Sequence, residues 1–174
     1  NTVNAYNSSL TRSNATNLNT ALSQLYSSFN DNYVLFSGGD EARSTVNAYN
    51  SSLTRSNPTS RSINVGFGST STVGQYALFA GGGTSRGDVY ANVDTYNSSL
   101  TRSSATSLTR QRWMLAGGYT VGYAVFSGGS QSNAQSNYVF QRLDLSEAYN
   151  SSLTRTTISN LNNKVENHKG VSMN

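Results

Sequence analysis

The chain has 174 residues, of which 11% are charged and 10% aromatic, and its formal net charge is +4 at pH 7. The Lys and Arg residues form no cluster, which argues against a nucleic-acid partner, and no run of about 18 apolar residues predicts a membrane span. The absence of cysteine excludes disulfides and thiolate metal sites.

Two short motifs recur along the chain and divide it into repeating units. The heptapeptide Tyr-Asn-Ser-Ser-Leu-Thr-Arg occurs four times, and Tyr-x-x-Phe-x-Gly-Gly occurs three times. The two motifs begin 27 residues apart in every unit, from 6 to 33, from 49 to 76 and from 96 to 123. We expect a structural role for the ends of the heptapeptides and for the glycine pairs. These residues are Tyr6, Arg12, Gly38, Gly39, Tyr49, Arg55, Gly81, Gly82, Tyr96, Arg102, Gly128, Gly129, Tyr149 and Arg155.

The constant part of each unit predicts short β-strands. Val3 to Tyr6 alternates apolar and polar residues, which is typical of a half-covered strand. Tyr33 to Phe36 is a continuous apolar run stopped by glycines, which is typical of a strand covered on both faces. The same patterns recur at 46–49 and 93–96, and at 76–79 and 123–126.

Two further stretches complete the unit. Asn17 to Tyr26 places three leucines at helical spacing, but its position in the repeat favours a strand. Trp113 to Ala116 also predicts a strand. Each unit of 43 to 53 residues, measured from 6 to 49, from 49 to 96 and from 96 to 149, therefore holds about four short strands, which is the size of one β-propeller blade.

At these positions the sequence resembles the kelch repeat, in which a strand ending in Gly-Gly is followed by a variable loop and a strand ending near a Tyr. The matching segments are Phe36-Ser37-Gly38-Gly39 with Val46-Asn47-Ala48-Tyr49-Asn50, Phe79-Ala80-Gly81-Gly82 with Val93-Asp94-Thr95-Tyr96-Asn97, and Phe126-Ser127-Gly128-Gly129 with Glu147-Ala148-Tyr149-Asn150.

The resemblance implies an all-β fold, a β-propeller of four-stranded antiparallel blades with about three complete blades and a partial blade at each end. The single repeat array would consist of a partial blade, three blades and the start of another, at 1–16, 17–59, 60–106, 107–159 and 160–174. Because the partial blades at both ends lack a second strand, we expect either the remainder of a longer propeller chain or another copy of this chain to supply it.

All the length variation between units falls after the Gly-Gly pair, at 40–45, 83–92 and 130–142. Such variation is tolerated in surface loops, where binding residues tend to concentrate. The resemblance implies that these loops share one face with the loops between blades. We therefore expect ligand-binding residues among the charged and aromatic side chains of these loops. They are Arg43, Arg86, Asp88, Tyr90, Tyr138, Phe140 and Arg142.

The sequence offers little material for catalysis. His168 is the only histidine, and Asp94 and Glu147 share one place in the repeat and are expected to be structural. We therefore expect no enzyme activity, no cofactor and no metal site. A glycosidase pair of loop acids, Asp40 with Asp88, is the catalytic alternative.

These observations predict a non-enzymatic module that binds a protein or a glycan in a larger bacterial or phage surface or virion protein, outside the cell. Two alternatives stay open, the scaffold of a carbohydrate-active enzyme and a purely structural spacer. A local alternative also exists for the third loop, since residues 138–140 could simply extend a strand into a longer hairpin.

Overall fold

The structure, a computed structural model, describes residues 1–39, 43–133 and 139–172, and all regular elements within these ranges are strands. No helix in this part of the chain is long and apolar enough to span a membrane. The strands in order are β1 (Val3–Tyr6), β2 (Arg12–Ala15), β3 (Leu25–Phe29), β4 (Val34–Gly38), β5 (Val46–Tyr49), β6 (Arg55–Ser56), β7 (Ser69–Val73), β8 (Tyr76–Ala80), β9 (Val93–Tyr96), β10 (Arg102–Ser104), β11 (Ala116–Thr120), β12 (Tyr123–Ser127), β13 (Ser130–Asn133), β14 (Val139–Arg142), β15 (Ser146–Asn150) and β16 (Arg155–Ile158).

Within the described ranges the strands form three four-stranded antiparallel sheets and two separate two-stranded ones. The large sheets have the orders β3-β4-β5-β6, β7-β8-β9-β10 and β11-β12-β15-β16, while β1 pairs with β2 and β13 pairs with β14. The predicted all-β class and the four-stranded antiparallel sheets are confirmed. The division of the chain into numbered blades stays a prediction.

Two predicted strands differ in extent from the observed ones. In the stretch from Asn17 to Tyr26 the strand starts only at Leu25, after an irregular segment. Trp113 precedes β11, and its backbone instead forms an isolated antiparallel bridge to Ser130. The apolar residues that suggested longer strands instead pack in the segments just before β3 and β11 begin.

Each heptapeptide forms the turn between two paired antiparallel strands, which are β1 and β2, β5 and β6, β9 and β10, and β15 and β16. In the second copy the Asn50 side-chain oxygen accepts hydrogen bonds from the backbone N–H groups of Ser52 and Thr54, at 3.1 and 3.0 Å. The leucine of the same turn, Leu53, has a positive φ of 59°. The other three copies repeat both features. The heptapeptide is thus a hairpin turn built four times, because Asn can satisfy turn backbone groups with its own side chain.

The second strand of the middle large sheet, β8, packs against both neighbouring large sheets. Leu35 of β4 lies in one apolar cluster with Ala77 and Phe79 of β8. Leu78 of β8 lies in the next cluster with Phe126 of β12. Because successive strand residues point to opposite faces, one apolar run can build two interfaces.

Three of the four heptapeptide tyrosines tie their sheet to the preceding unit. The hydroxyl of Tyr49 donates a hydrogen bond to the Thr16 carbonyl at 2.7 Å. Tyr96 does the same to Thr59 at 2.8 Å, and Tyr149 to Thr106 at 2.7 Å. Burial raises the pKa of all three tyrosines. Each of these three tyrosines is therefore an anchor between units.

Candidate ligand-binding cleft

The second variable loop is a compact turn closed by hydrogen bonds between its own backbone groups. The N–H of Thr84 donates to the Asp88 carbonyl at 2.9 Å, and the N–H of Gly87 donates to the Thr84 carbonyl at 3.0 Å. The hydroxyl of Thr84 also donates to the Asp88 carboxylate at 3.2 Å. Asp88 therefore helps to close the loop, and the exposed Ser85 and Arg86 lie at its tip.

The third variable loop is a two-stranded hairpin, β13 with β14, which is the local alternative considered for Val139 and Phe140. Its base is held by Trp113, whose indole N–H donates to the Ser130 hydroxyl at 2.8 Å. Arg142 donates to Glu166 at 3.1 Å. Hydrogen bonds from Ser130 and Arg142 lower the pKa of the Glu166 carboxyl.

An open cleft of about 580 Å³ lies between these two loops. The rings of Trp113 and Phe140 pack with centroids 4.7 Å apart, and Phe67 packs edge-on with the indole at 5.5 Å. The Phe140 side chain remains 39% exposed. The cleft is lined by Ser85, Arg86, Gly87, Trp113 and Phe140.

Gly83 is the residue that allows the indole to lie against the second loop. A Cβ at this position would stand 3.2 Å from the Trp113 ring and 2.5 Å from the Asp88 carbonyl oxygen. Such contacts are tighter than packed carbon atoms tolerate, so any larger residue would push the loop and the ring apart.

The structure places two of the predicted ligand residues, Arg86 and Phe140, in this cleft. Tyr90 is half-buried, and its N–H donates to the Gly82 carbonyl at 2.9 Å. Arg43 is exposed in the first variable loop. Tyr138 lies outside the described residues. Arg142 and Asp88 take part in the contacts given above rather than in the cleft lining.

Three lining residues were not singled out by the sequence: Ser85, Gly87 and Trp113. For Trp113 a signal existed, because it is the only tryptophan of the chain. It also breaks the repeat, since the equivalent positions, each 17 residues after a heptapeptide Tyr, hold Ser23, Gly66 and Glu166. A bulky residue at one copy of a position that is small or polar elsewhere indicates a local role.

The two repeat-position acids are fully buried and ion-paired. Asp94 lies 3.5 Å from Arg61 and 3.0 Å from Arg102. Glu147 lies 2.6 Å from Arg112 and 3.5 Å from Arg155. Of the alternative glycosidase pair, Asp40 lies outside the described residues. In the described ranges no three His, Asp or Glu side chains gather in a way that could hold a metal ion.

A second cavity, of about 400 Å³, lies where the units converge. Phe67, Met114 and Asn167, which occupy one equivalent position in successive units, lie on its rim and are joined by hydrogen bonds. The backbone N–H of Met114 donates to the Phe67 carbonyl at 2.7 Å, and the backbone N–H of Asn167 donates to the Met114 carbonyl at 2.8 Å. His168 and Lys169 also line it, and burial lowers the pKa of His168.

The comparisons with known proteins concern the fold alone. No family model matches the sequence, and no curated protein matches it. By structure 129 solved chains match, among them the structure of YjhT, with a TM-score of 0.73 and 8% sequence identity. The match covers 98% of this chain and spans about 65% of the YjhT chain. The chain is thus similar to YjhT in fold over almost its whole length.

Proposed function

We propose that this chain is a kelch-like β-propeller module of a larger bacterial or phage surface or virion protein, and that it binds a protein or a glycan without transforming it. The ligand is held on the variable-loop face, in the cleft between the second and third loops. That cleft, in which Trp113, Phe140 and Arg86 converge, is the observation that carries the proposal.

The propeller arrangement is supported by how the sheets meet. The first strands of successive sheets lie side by side, since the Ser71 hydroxyl donates to the Gly118 carbonyl at 2.5 Å and Thr72 donates to Phe29 at 2.7 Å. The Gly117 position has no room for a Cβ beside the Thr70 carbonyl. Radial packing of four-stranded sheets around their first strands is the arrangement of propeller blades.

Binding is supported by the composition and stiffness of the cleft. Trp, Arg and other aromatic residues are enriched at the energetic centres of interfaces. The indole packs against two rings, Phe67 and Phe140, and its N–H donates a hydrogen bond to the Ser130 hydroxyl. A side chain held in place loses little further entropy when a ligand arrives.

The proposal that the chain does not catalyse a reaction is supported by the burial and ion pairing of its acidic side chains. Asp94 and Glu147 are 0% exposed, and each is paired with two arginines. A carboxylate that is buried and ion-paired in this way cannot reach a substrate. Asp88 is engaged by the Thr84 hydroxyl within its own loop.

The test uses two screens, an array of bacterial and animal glycans and a displayed peptide library, followed by titration with the hits. Because Trp113 is the only tryptophan, its fluorescence should shift on binding. Arg86→Ala and Phe140→Ala should each weaken binding about tenfold or more. Tyr123→Ala, which removes an exposed aromatic outside the cleft, should not.

The melting temperature of each variant separates lost binding from lost structure. Binding that survives both cleft substitutions would place the ligand elsewhere. Turnover of a bound glycan by the chain would overturn the non-enzymatic assignment.

A further inference from the structure

The cleft between the second and third variable loops is lined by a single charged side chain, that of Arg86. Arg86 is exposed at the tip of its loop. Within the described ranges its guanidinium takes part in no ion pair and no hydrogen bond. Its N–H donors are therefore available to a group that enters the cleft.

The described acids beside the cleft already have partners. Asp88 accepts a hydrogen bond from the Thr84 hydroxyl at 3.2 Å. Glu166 is paired with Arg142 at 3.1 Å. Because neither carboxylate is paired with Arg86, the charge of this arginine favours an anionic group on the ligand.

A second arginine adds positive charge beside the same hairpin. Arg110 is exposed, and its guanidinium donates to the neutral side chain of Gln131 in β13 at 3.4 Å. The positive potential thus extends from the second loop to the base of the third. A ligand with several negative charges fits such a surface better than one with a single charge.

The rest of the cleft wall offers aromatic rings. Phe140 remains partly exposed and packs on Trp113 at an interplanar angle of 30°. The indole N–H is taken by the Ser130 hydroxyl, so Trp113 contributes its ring and not its donor. The face of an aromatic ring carries partial negative charge and attracts the polarised C–H groups of a saturated ring.

The cleft has the dimensions of a small-ligand site. Its volume of about 580 Å³ lies within the range of roughly 300 to 1,000 Å³ that is typical of such sites. Five residues line it, whereas a stable protein interface takes about 20 to 30 residues from each partner. A sugar unit therefore fits the cleft better than the surface of a folded protein.

From these features we infer that the cleft binds a carboxylate-bearing sugar unit of an acidic glycan. The inference rests on the proposed function and narrows it to one class of ligand. The C–H side of the sugar ring lies on Phe140. The carboxylate accepts hydrogen bonds from Arg86, because a planar guanidinium matches the two oxygens of a carboxylate. Arg110 attracts the next charged unit of the glycan.

The experiment titrates the 174-residue chain with tetramers of galacturonate, glucuronate and mannuronate. Each tetramer is compared with its own methyl ester, which keeps the rings and the length but removes the charges. Calorimetry measures the affinities. At least one acidic tetramer should bind about tenfold or more tightly than its ester at low ionic strength, and the difference should shrink as salt is added.

Three variants separate the role of charge from that of ring packing. Arg86→Gln should reduce the preference for the acid over the ester to about one. Phe140→Ala should weaken both forms about tenfold. Arg12→Gln, which removes an exposed charge outside the cleft lining, should change neither affinity. Melting temperatures establish that each variant is folded.

Equal affinity for the acidic tetramers and their esters would overturn the inference and leave glycan binding intact. A preference for sulfated over carboxylated tetramers would do the same. A displayed peptide that binds the cleft when no tetramer does would overturn the inference but support the proposed function. A cleft that binds neither glycan nor peptide would overturn both.

Discussion

Arg61 and Asp94 form an ion pair of 3.5 Å in which neither side chain is exposed to solvent. The guanidinium also lies over the rings of Tyr26 and Phe79, 5.4 and 5.5 Å from their centroids. Asp94 additionally accepts a hydrogen bond from the backbone N–H of Ser62 at 3.2 Å. A charged pair is thus part of the packing between two sheets.

In the other two units the residue equivalent to Asp94 is different and has different partners. In the first unit the acid is replaced by Asn47, which accepts a hydrogen bond from the N–H of Asn19, and the place of Arg61 is taken by Leu18. In the third unit Glu147 is paired with Arg112 at 2.6 Å. Asp94 and Glu147 thus each pair with a buried arginine, whereas the unit that carries Asn47 has neither the buried acid nor the buried arginine.

This comparison predicts a paired substitution. Asp94→Asn should lower the free energy of unfolding by about 3 to 5 kcal/mol, because it leaves Arg61 buried without its carboxylate. Asp94→Asn combined with Arg61→Leu, which restores the neutral arrangement of the first unit, should lose less than about 2 kcal/mol. Urea unfolding followed by circular dichroism measures both. A double variant as unstable as the single one would contradict the prediction.

The tyrosine anchors predict a position-dependent effect of removing one hydroxyl. Tyr96→Phe removes the 2.8 Å hydrogen bond from the buried Tyr96 side chain to the Thr59 carbonyl and should lower the unfolding free energy by about 1 kcal/mol. Tyr6→Phe changes an exposed side chain and should have no effect in the same denaturation experiment. Equal effects at the two sites would show that the hydroxyl bond is not the cause.

The repeated turn predicts opposite effects of glycine at two equivalent leucines. Leu10 and Leu100 both have positive φ, 58° and 61°, which disfavours a residue with a Cβ. Leu10 is exposed, so Leu10→Gly should leave stability unchanged or raise it by up to about 1 kcal/mol. Leu100 packs against an apolar cluster, so Leu100→Gly should destabilise the chain. Thermal melts of both variants compare the two sites, and a loss at Leu10 as large as that at Leu100 would rule out side-chain packing as the difference.

His168 predicts a loss of stability in mild acid. Burial lowers its pKa in the folded chain below the ordinary 6.5, so the folded state binds the proton less readily than the unfolded state. The contribution of neutral His168 to the free energy of unfolding is fully present above pH 6.5 and is lost as the pH falls through the lowered pKa. His168→Gln should flatten the decline of the melting temperature between pH 7.5 and 5. Since no other histidine exists in the chain, an unchanged slope would contradict the prediction.

Much of the local architecture could be predicted because it depends on neighbouring residues. The apolar run at 76–79 ends in glycines and is a strand, β8, and the Asn-Ser-Ser-Leu turn is closed by its own Asn side chain. The irregular entrance from Asn17 to Gln24 was not predicted, since its leucines are apolar for packing reasons and not for strand pairing. The loop pattern pointed to Arg86 and Phe140, which line the cleft, but not to Trp113, whose place there depends on packing between strands; ligand binding by these residues stays a prediction.

The sequence by itself determined the repeating unit, the positions of its strands and the place where length can vary, because periodic apolar residues, glycines and Asn turns act over a few residues. Only the tertiary structure decided which side chains meet across units. The pairing of Arg61 with Asp94, the packing of Trp113 on Phe140 and the exposure of Tyr6 all depend on neighbours from other strands. Four identical heptapeptides therefore form four identical turns, while their surroundings leave one of the four tyrosines uncovered.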